Sequence, residues 1–293
     1  MNETIKYIKK HKLGTIKENV SIKSLTTYKV GGIARLLVHI DSYNSLLELL
    51  KYLKENKTKY KIIGNGSNLI FSDEAYDGVL IKLDKLNNIN INDTIITAQS
   101  GVNLVKLSYL AMKNGLTGLE FASGIPGTIG GAVFMNAGAY KSDMGYITSE
   151  VKVITPDLEI KTLYNKDMNF KYRTSFLKEN PNYICLEAKL VLMHGKKDAI
   201  KELMETRKQK RLLTQPLEYP SAGSVFRNPD NDFAGRLIED CNLKGYKIGG
   251  ASVSKKHANF IINENNATAS DVKNLIYYVK DKVNEKNKVD LKI

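Results

Sequence analysis

Glycines stand at every third position in Ala122-Ser123-Gly124-Ile125-Pro126-Gly127-Thr128-Ile129-Gly130-Gly131-Ala132. That spacing keeps one side of a tight turn clear of side chains, so a flat or anionic ligand can approach the backbone. Pro126 stiffens the turn. The same pattern also suits a helix start packed closely against a strand. A second loop, Gly64-Asn65-Gly66-Ser67-Asn68, directly follows the strand-like Tyr60-Lys61-Ile62-Ile63. There the glycines let N–H groups converge on an anion, and Ser and Asn add donors. Alone, it is equally an Asn/Gly turn. The P-loop pattern G-x-x-x-x-G-K-[ST] is absent, and Leu69 stands where a dinucleotide fingerprint needs its third glycine. Two such loops in a mixed α/β region favour a large phosphate-bearing cofactor.

The surrounding pattern supports that class. Leu46, Leu47, Leu49, Leu50 and Leu53 lie at helical spacing within 43–54. Short strands are predicted at 60–63, 79–83 and 94–98, each bounded by turn residues, and a helix over 102–114 ends at Gly115. Further strands are predicted at 151–155, 159–163 and 184–193. After the polar break His194-Gly195-Lys196-Lys197-Asp198 come helices over 198–213 and 232–241, a strand at 259–262 and a last helix over 270–286, begun by Ser270 and Asp271. The break places a domain boundary at 197/198. No internal repeat is seen. At roughly 150 residues per domain, 293 residues correspond to about two domains.

Composition narrows the function classes. Hydrophobic residues make up 42% and charged residues 26%, which are globular values. The opening MNETIKYIKKHKLG breaks any apolar stretch with charges, so no signal peptide is expected. No run of about 18 apolar residues occurs, so membrane insertion is not expected. Cys185 and Cys241 make no disulfide framework, and a reduced cytoplasmic protein is the expectation. Lys plus Arg is 44 against 31 Asp plus Glu, a net charge of +13 that attracts anionic ligands. The densest basic cluster, Arg207-Lys208-Gln209-Lys210-Arg211, reads as a solvated helix face. With no aromatic interleaving, nucleic acid is not an expected partner. His11, His39, His194 and His257 form no metal-ligand motif, and no C-x-x-C occurs, so no metal is expected. Cys185 reads as core, and Cys241 lacks a paired base.

Six blocks in order make the pattern specific. They are Thr27-Tyr28-Lys29-Val30-Gly31-Gly32, the two glycine loops with Met135-Asn136-Ala137-Gly138-Ala139-Tyr140, Tyr172-Arg173-Thr174-Ser175-Phe176, Ser221 to Pro229, and Ala234 to Glu239. Together they resemble the UDP-N-acetylenolpyruvoylglucosamine reductase (MurB) family, in the type without an extra substrate-capping loop. The resemblance runs from Thr26 to the end of the chain. It implies an α+β fold: an FAD-binding domain of the vanillyl-alcohol-oxidase (PCMH) type over 1–197, in two subdomains split near residue 75, and a C-terminal α+β substrate-binding domain over 198–293. FAD would be bound non-covalently by Tyr28, Gly64, Asn65, Gly66, Ser67, Asn68, Ser123, Gly124, Pro126, Gly127, Thr128, Gly130 and Gly131.

The implied reaction has two halves. NADPH reduces FAD, and flavin N5 then passes a hydride to the enolpyruvyl C3 of UDP-N-acetylglucosamine enolpyruvate while a proton reaches C2. Such chemistry needs a cation at the carboxylate and an acid near C2. Arg173 matches the family's carboxylate-binding arginine, and a guanidinium fork suits that task. Ser224 matches the proton donor, with Arg227 or backbone N–H groups in the Gly223 turn as possible helpers. Tyr140, Tyr172, Arg227 and Asn228 are implied substrate contacts, and Lys141 stands where many relatives have Gly. A monomer in the cytoplasm is expected. The family also carries a C-terminal V-x-L-x-x-E glutamate, whereas this chain reads Val289-Asp290-Leu291-Lys292-Ile293 and stops one residue short; Glu285 belongs to the preceding helix. The matching expectation is FAD binding with slow turnover. The alternatives are another flavin oxidoreductase of this fold acting on a small alcohol or sugar, and an inactive flavin-binding protein.

Overall fold

The structure is a computed structural model that describes residues 1–293. It falls into two compact units built from interleaved segments. The first takes residues 1–18, 35–65 and 77–208, and the second takes 19–34, 66–76 and 209–293. Chain order and spatial grouping therefore differ, because two short excursions from the N-terminal third join the C-terminal residues.

The first part of the chain forms α1 (Asn2–His11), β1 (Thr15–Ser21), β2 (Ile33–His39), α2 (Tyr43–Glu55), β3 (Tyr60–Ile63) and β4 (Tyr76–Lys82). The strands lie in the order β1-β2-β4-β3, with β3 and β4 parallel and joined by the non-helical connection 64–75. Helix α2 starts where Ser42 Oγ accepts the Ser45 N–H, and it buries Leu46, Leu49, Leu50 and Leu53. Each such leucine contributes about 1.5–3 kcal/mol relative to exposure. Helix α1 packs Ile5 and Ile8 into the same core. Residues 1–42, where the sequence patterns suggest no elements, thus contribute a helix and two strands.

Next come β5 (Ile89–Asn92), β6 (Ile95–Gln99), α3 (Leu104–Lys113), β7 (Leu116–Thr117), α4 (Ile129–Phe134), β8 (Gly138–Ala139), β9 (Ser142–Asp143), α5 (Met144–Ile147), β10 (Thr148–Ile154), β11 (Ile160–Tyr164), α6 (Phe176–Glu179), β12 (Ile184–Val191), β13 (Met193–His194) and α7 (Lys197–Thr214). Five of the strands make an antiparallel sheet in the order β11-β10-β12-β6-β5. Alternation sends Val151, Val153, Ala188 and Leu190 to one face, where they pack with Leu104, Leu107, Ile129 and Val133 of α3 and α4. Cys185 sits in this core as expected, and burial pushes its thiol up to about 12. In α7 only Ile200 and Met204 are buried, which fits a largely solvated helix.

The second unit is built from α8 (Ala234–Asp240), β14 (Lys247–Ile248), β15 (Ala251–Val253), β16 (Ile261–Asn263) and α9 (Ala269–Asn287), with the sheet order β14-β15-β16. Its core gathers Tyr28, Val30, Phe226, Leu237, Ile238, Val272, Leu275, Val279 and Leu291. The start of α9 differs from the expectation. Thr268 is the cap, its hydroxyl accepting the Asp271 N–H at 3.0 Å while the Asp271 carboxylate accepts the Thr268 N–H at 2.9 Å. Asp73 accepts the next two N–H groups, of Ala269 and Ser270, at 2.8 and 2.9 Å. Burial pulls the Asp73 carboxyl upward, but these hydrogen bonds outweigh it and hold the group below its ordinary range.

No helix is long and apolar enough to cross a membrane.

Candidate active site

In the first unit the two glycine loops meet. Asn65 Nδ2 donates to the carbonyls of Pro126 and Gly127, at 3.3 and 3.2 Å. The second loop is also tied to the start of α3. Leu104 N–H donates to Gly127, Ile129 N–H to Val102, and Gly130 N–H to Ser100, all within 2.9–3.0 Å. Thr128 caps α4, accepting the Gly131 N–H at 3.4 Å. The N–H groups of Ile125, Gly127, Ile129, Gly130 and Ala132 are all bonded to carbonyls of the protein. The glycines of this loop therefore serve close approach more than donation. A Cβ on Gly130 would stand 3.0 Å from Ser100 Cβ, and one on Gly64 only 2.6 Å from Thr128 Oγ1.

These features fit a large polar cofactor. Gly127 has nothing nearer than 4.0 Å to an added Cβ, and Gly131 is exposed, so the backbone edge of the loop is open. Beside it the Ser100 hydroxyl is buried with no partner in the protein, a donor available to a ligand. Ser123 Oγ is committed to the Glu120 carbonyl at 2.9 Å, which leaves its lone pairs free to accept. A sharp consequence follows for Gly64→Ala. The new methyl must push Thr128 from its capping position, so purified protein is expected to lose most of its bound flavin. An absorbance scan checks this, and a flavin content equal to wild type would refute the close-approach role.

The same unit carries Tyr140, Tyr172 and Arg173. Strands β8 and β9 are joined by Tyr140 and Lys141, both at positive φ (55° and 60°), the geometry of a two-residue hairpin turn. Lysine thus occupies a conformation that glycine adopts without cost. Tyr140 is held outside its own turn: its hydroxyl donates to the Arg207 carbonyl at 3.1 Å, and the Arg207 guanidinium lies over its ring at 4.6 Å. Arg207, half-buried in the basic cluster of α7, thus does more than the solvated face that its sequence suggests. Arg173 occupies a turn between Lys171 and Thr174, its φ is 57°, and Nη2 donates to the Gly138 carbonyl at 2.6 Å. Its guanidinium lies 5.0 Å from the ring of the exposed Tyr172. Arginine fork, Tyr172 and the Tyr140 hairpin are thereby brought together.

In the second unit Ser224 is exposed, following Gly223 at φ 82° with open space around its Cα. Buried Asn259 holds the next residues. Its side chain accepts the Phe226 N–H at 2.9 Å and donates to the Phe226 carbonyl at 2.8 Å, and its carbonyl accepts the Val225 N–H at 2.9 Å. Arg227 N–H donates to the Lys292 carbonyl at 2.7 Å. Asn228 Oδ1 accepts the Ala234 N–H at 3.1 Å, so part of its side chain serves the start of α8. Asn259 lies far from the Ser221–Pro229 motif in sequence, and only its amide chemistry hinted at this role. Gly66 is buried at φ 63°, where a Cβ would strike the Leu25 carbonyl; Ser67 is half-buried and Asn68 exposed.

The Tyr28 side chain is committed within its own unit. It is 1% exposed, its hydroxyl donates to the Ile261 carbonyl at 2.8 Å, and burial raises its pKa. Its carbonyl accepts Asn263 Nδ2 at 3.1 Å. The side chain is thus spent on the core of its unit.

The Ser224 segment also carries a pH dependence. Asn259 N–H donates to His257 Nδ1 at 3.2 Å, so that nitrogen must be unprotonated. Burial lowers the His257 pKa, a hydrogen bond to the residue's own backbone opposes this, nearby Lys244 lowers it further, and Glu239 raises it. The unfolded chain binds this proton near about pH 6.5, the folded chain only below that. The stabilising state is therefore complete above that range and is lost as the pH falls through it. The unfolding midpoint is expected to drop between about pH 7.5 and about 5.5, and His257→Gln to flatten that slope. A slope unchanged in the variant would exclude His257 as its source.

Comparison with known proteins identifies the class. Residues 34–164 match the FAD binding domain family, and residues 215–293 match the family described as UDP-N-acetylenolpyruvoylglucosamine reductase, C-terminal domain. A solved alkyldihydroxyacetonephosphate synthase shares the fold, with TM-score 0.52 and 18% identity over 66% of this chain and 40% of that one. The fold and the glycine cradle thus define a flavoprotein of the vanillyl-alcohol-oxidase type with an added C-terminal domain. UDP-N-acetylenolpyruvoylglucosamine reductase of Bacillus subtilis is 41% identical over 292 residues, covering 99% of this chain and 96% of its own. The protein of the same name from Anoxybacillus flavithermus is 46% identical, covering 92% of this chain and 89% of its own. The crystal structure of the Thermus caldophilus reductase superposes with TM-score 0.81 at 32% identity, over 95% of this chain and 97% of that one. The chain belongs to the UDP-N-acetylenolpyruvoylglucosamine reductase (MurB) family.

Proposed function

We propose that this chain reduces the enolpyruvyl group of UDP-N-acetylglucosamine enolpyruvate to give UDP-N-acetylmuramate in peptidoglycan synthesis, with NADPH as reductant. The observation that carries the reading is the nearly end-to-end match to reductases of that name. FAD, when bound, supplies two-electron transfer between NADPH and the enolpyruvyl group. Gly64, Asn65, Ser123, Gly124, Pro126, Gly127, Thr128, Gly130 and Gly131 of the first unit would hold it, with Ser100 as a further donor. The assignment of Gly66, Ser67 and Asn68 rests on the motif.

Arg173 binds the substrate carboxylate in this reading. Its charge is permanent, and its fork offers paired donors to the anion whose charge grows during reduction. Tyr172 and Tyr140 give the same neighbourhood aromatic and hydroxyl contacts. Ser224 delivers the proton to C2. A hydroxyl is a weak acid, so the charge left on its oxygen must be met by adjacent donors; Arg227 is the basic residue of its own loop. Asn228 keeps Nδ2 available for the substrate. The protein acts in the cytoplasm as a monomer in this proposal. Stopped-flow measurement of flavin bleaching by NADPH and recovery on adding UDP-N-acetylglucosamine enolpyruvate tests it. Bleaching without recovery would defeat the substrate assignment.

A further inference from the structure

Two stretches of the first unit, 134–138 and 171–175, are joined by three side chains. Ser175 Oγ donates to the Phe134 carbonyl at 2.8 Å, Asn136 Nδ2 to the Lys171 carbonyl at 2.9 Å, and Arg173 Nη2 to the Gly138 carbonyl at 2.6 Å. Asn136 makes a second bond, its Oδ1 accepting the Gly145 N–H at 2.9 Å. Asn136 and Ser175 are 1% and 0% exposed. Water cannot replace a lost partner at such sites, so their geometry is strictly held. Asn136 also takes φ 42°, a left-handed conformation that asparagine tolerates better than most residues.

We propose that Asn136, seconded by Ser175, is the positioning residue for Arg173. The proposal deepens the carboxylate-binding reading and rests on it. The Arg173 turn is short, closed by reciprocal Lys171 and Thr174 backbone bonds of 3.1 Å, with a non-glycine residue at φ 57°. A strained turn of this kind persists only where its surroundings over-determine it. The Asn136 amide supplies that constraint. It ties the Lys171 end of the turn, through Gly145, to the segment just past the β8–β9 hairpin whose Gly138 carbonyl receives the guanidinium. The fork is thereby aimed by a side chain that need not touch the substrate.

Asn136→Gly keeps the backbone conformation accessible and deletes the amide. Asn136→Asp keeps the Gly145 acceptor but sets a carboxylate oxygen against the Lys171 carbonyl. Both are expected to slow flavin reoxidation by UDP-N-acetylglucosamine enolpyruvate about 10- to 100-fold, with bleaching by NADPH changed less than about twofold. Calorimetry on the oxidised holoenzyme should show roughly tenfold weaker binding of that substrate, for the same loss of orientation. Arg173→Lys combined with Asn136→Gly should bind and react no worse than Arg173→Lys alone, because both act through one group. Fully additive losses, or equal losses in both half-reactions, would overturn the proposal. An Arg173→Lys enzyme that reoxidises like wild type would remove the underlying reading. A slow Arg173→Lys enzyme beside wild-type Asn136 variants would remove the positioning role alone. If the Asn136 variants do not fold, Ser175→Ala must show the same selective loss, and a wild-type result there overturns the proposal.

Discussion

Arg173→Lys is expected to slow flavin reoxidation by the enolpyruvyl substrate about 10²- to 10³-fold, the usual cost of losing a preorganised donor at a developing negative charge. Bleaching by NADPH should stay at the wild-type rate. Lysine keeps the charge but offers a hydrated point in place of a planar fork. It also loses the geometry by which Nη2 grips the Gly138 carbonyl. Higher salt should not rescue the variant, because the defect lies in shape. Reoxidation at the wild-type rate would show that some other cation meets the carboxylate.

Ser224→Ala should also act on the second half-reaction alone, by about 10²- to 10⁴-fold, the range of general acid catalysis. The loop should survive the change, since Val225 and Phe226 are pinned by Asn259 and not by the Ser224 hydroxyl. Ser224→Cys should retain more activity than the alanine variant, because a thiol is a better proton donor than a methyl. Comparable rates for the two variants would argue that solvent, and not this side chain, protonates C2. Loss of both half-reactions together would instead point to damage in the loop.

Much of this was legible from residue order. The leucine spacing of α2, the strand before the first glycine loop and the core position of Cys185 all follow from local periodicity, which needs no knowledge of distant partners. The close approach of Gly130 to Ser100 fits the alternative of a closely packed helix start, while the open space at Gly127 suits approach of a ligand. The one displaced helix start has a physical cause. The sequence-based start of α9 falls at Ser270 because Ser and Asp are good caps, but Thr268 wins by completing a reciprocal box with Asp271. The Tyr28 hydroxyl finds Ile261, a partner that no local pattern announces.

By itself the sequence determined the main elements beyond residue 42, the family and the residue chemistry available: an arginine fork, a hydroxyl in a glycine turn, and two glycine-rich loops. Those depend on short-range spacing and on side-chain identity. Only the tertiary structure decided that Asn65 joins the two glycine loops, that Asn136 and Ser175 brace the Arg173 turn, and that Asn259 braces the segment after Ser224. Buried amides and hydroxyls must find hydrogen-bond partners, and those partners are chosen by which backbone groups folding brings within about 3 Å, not by their distance along the chain.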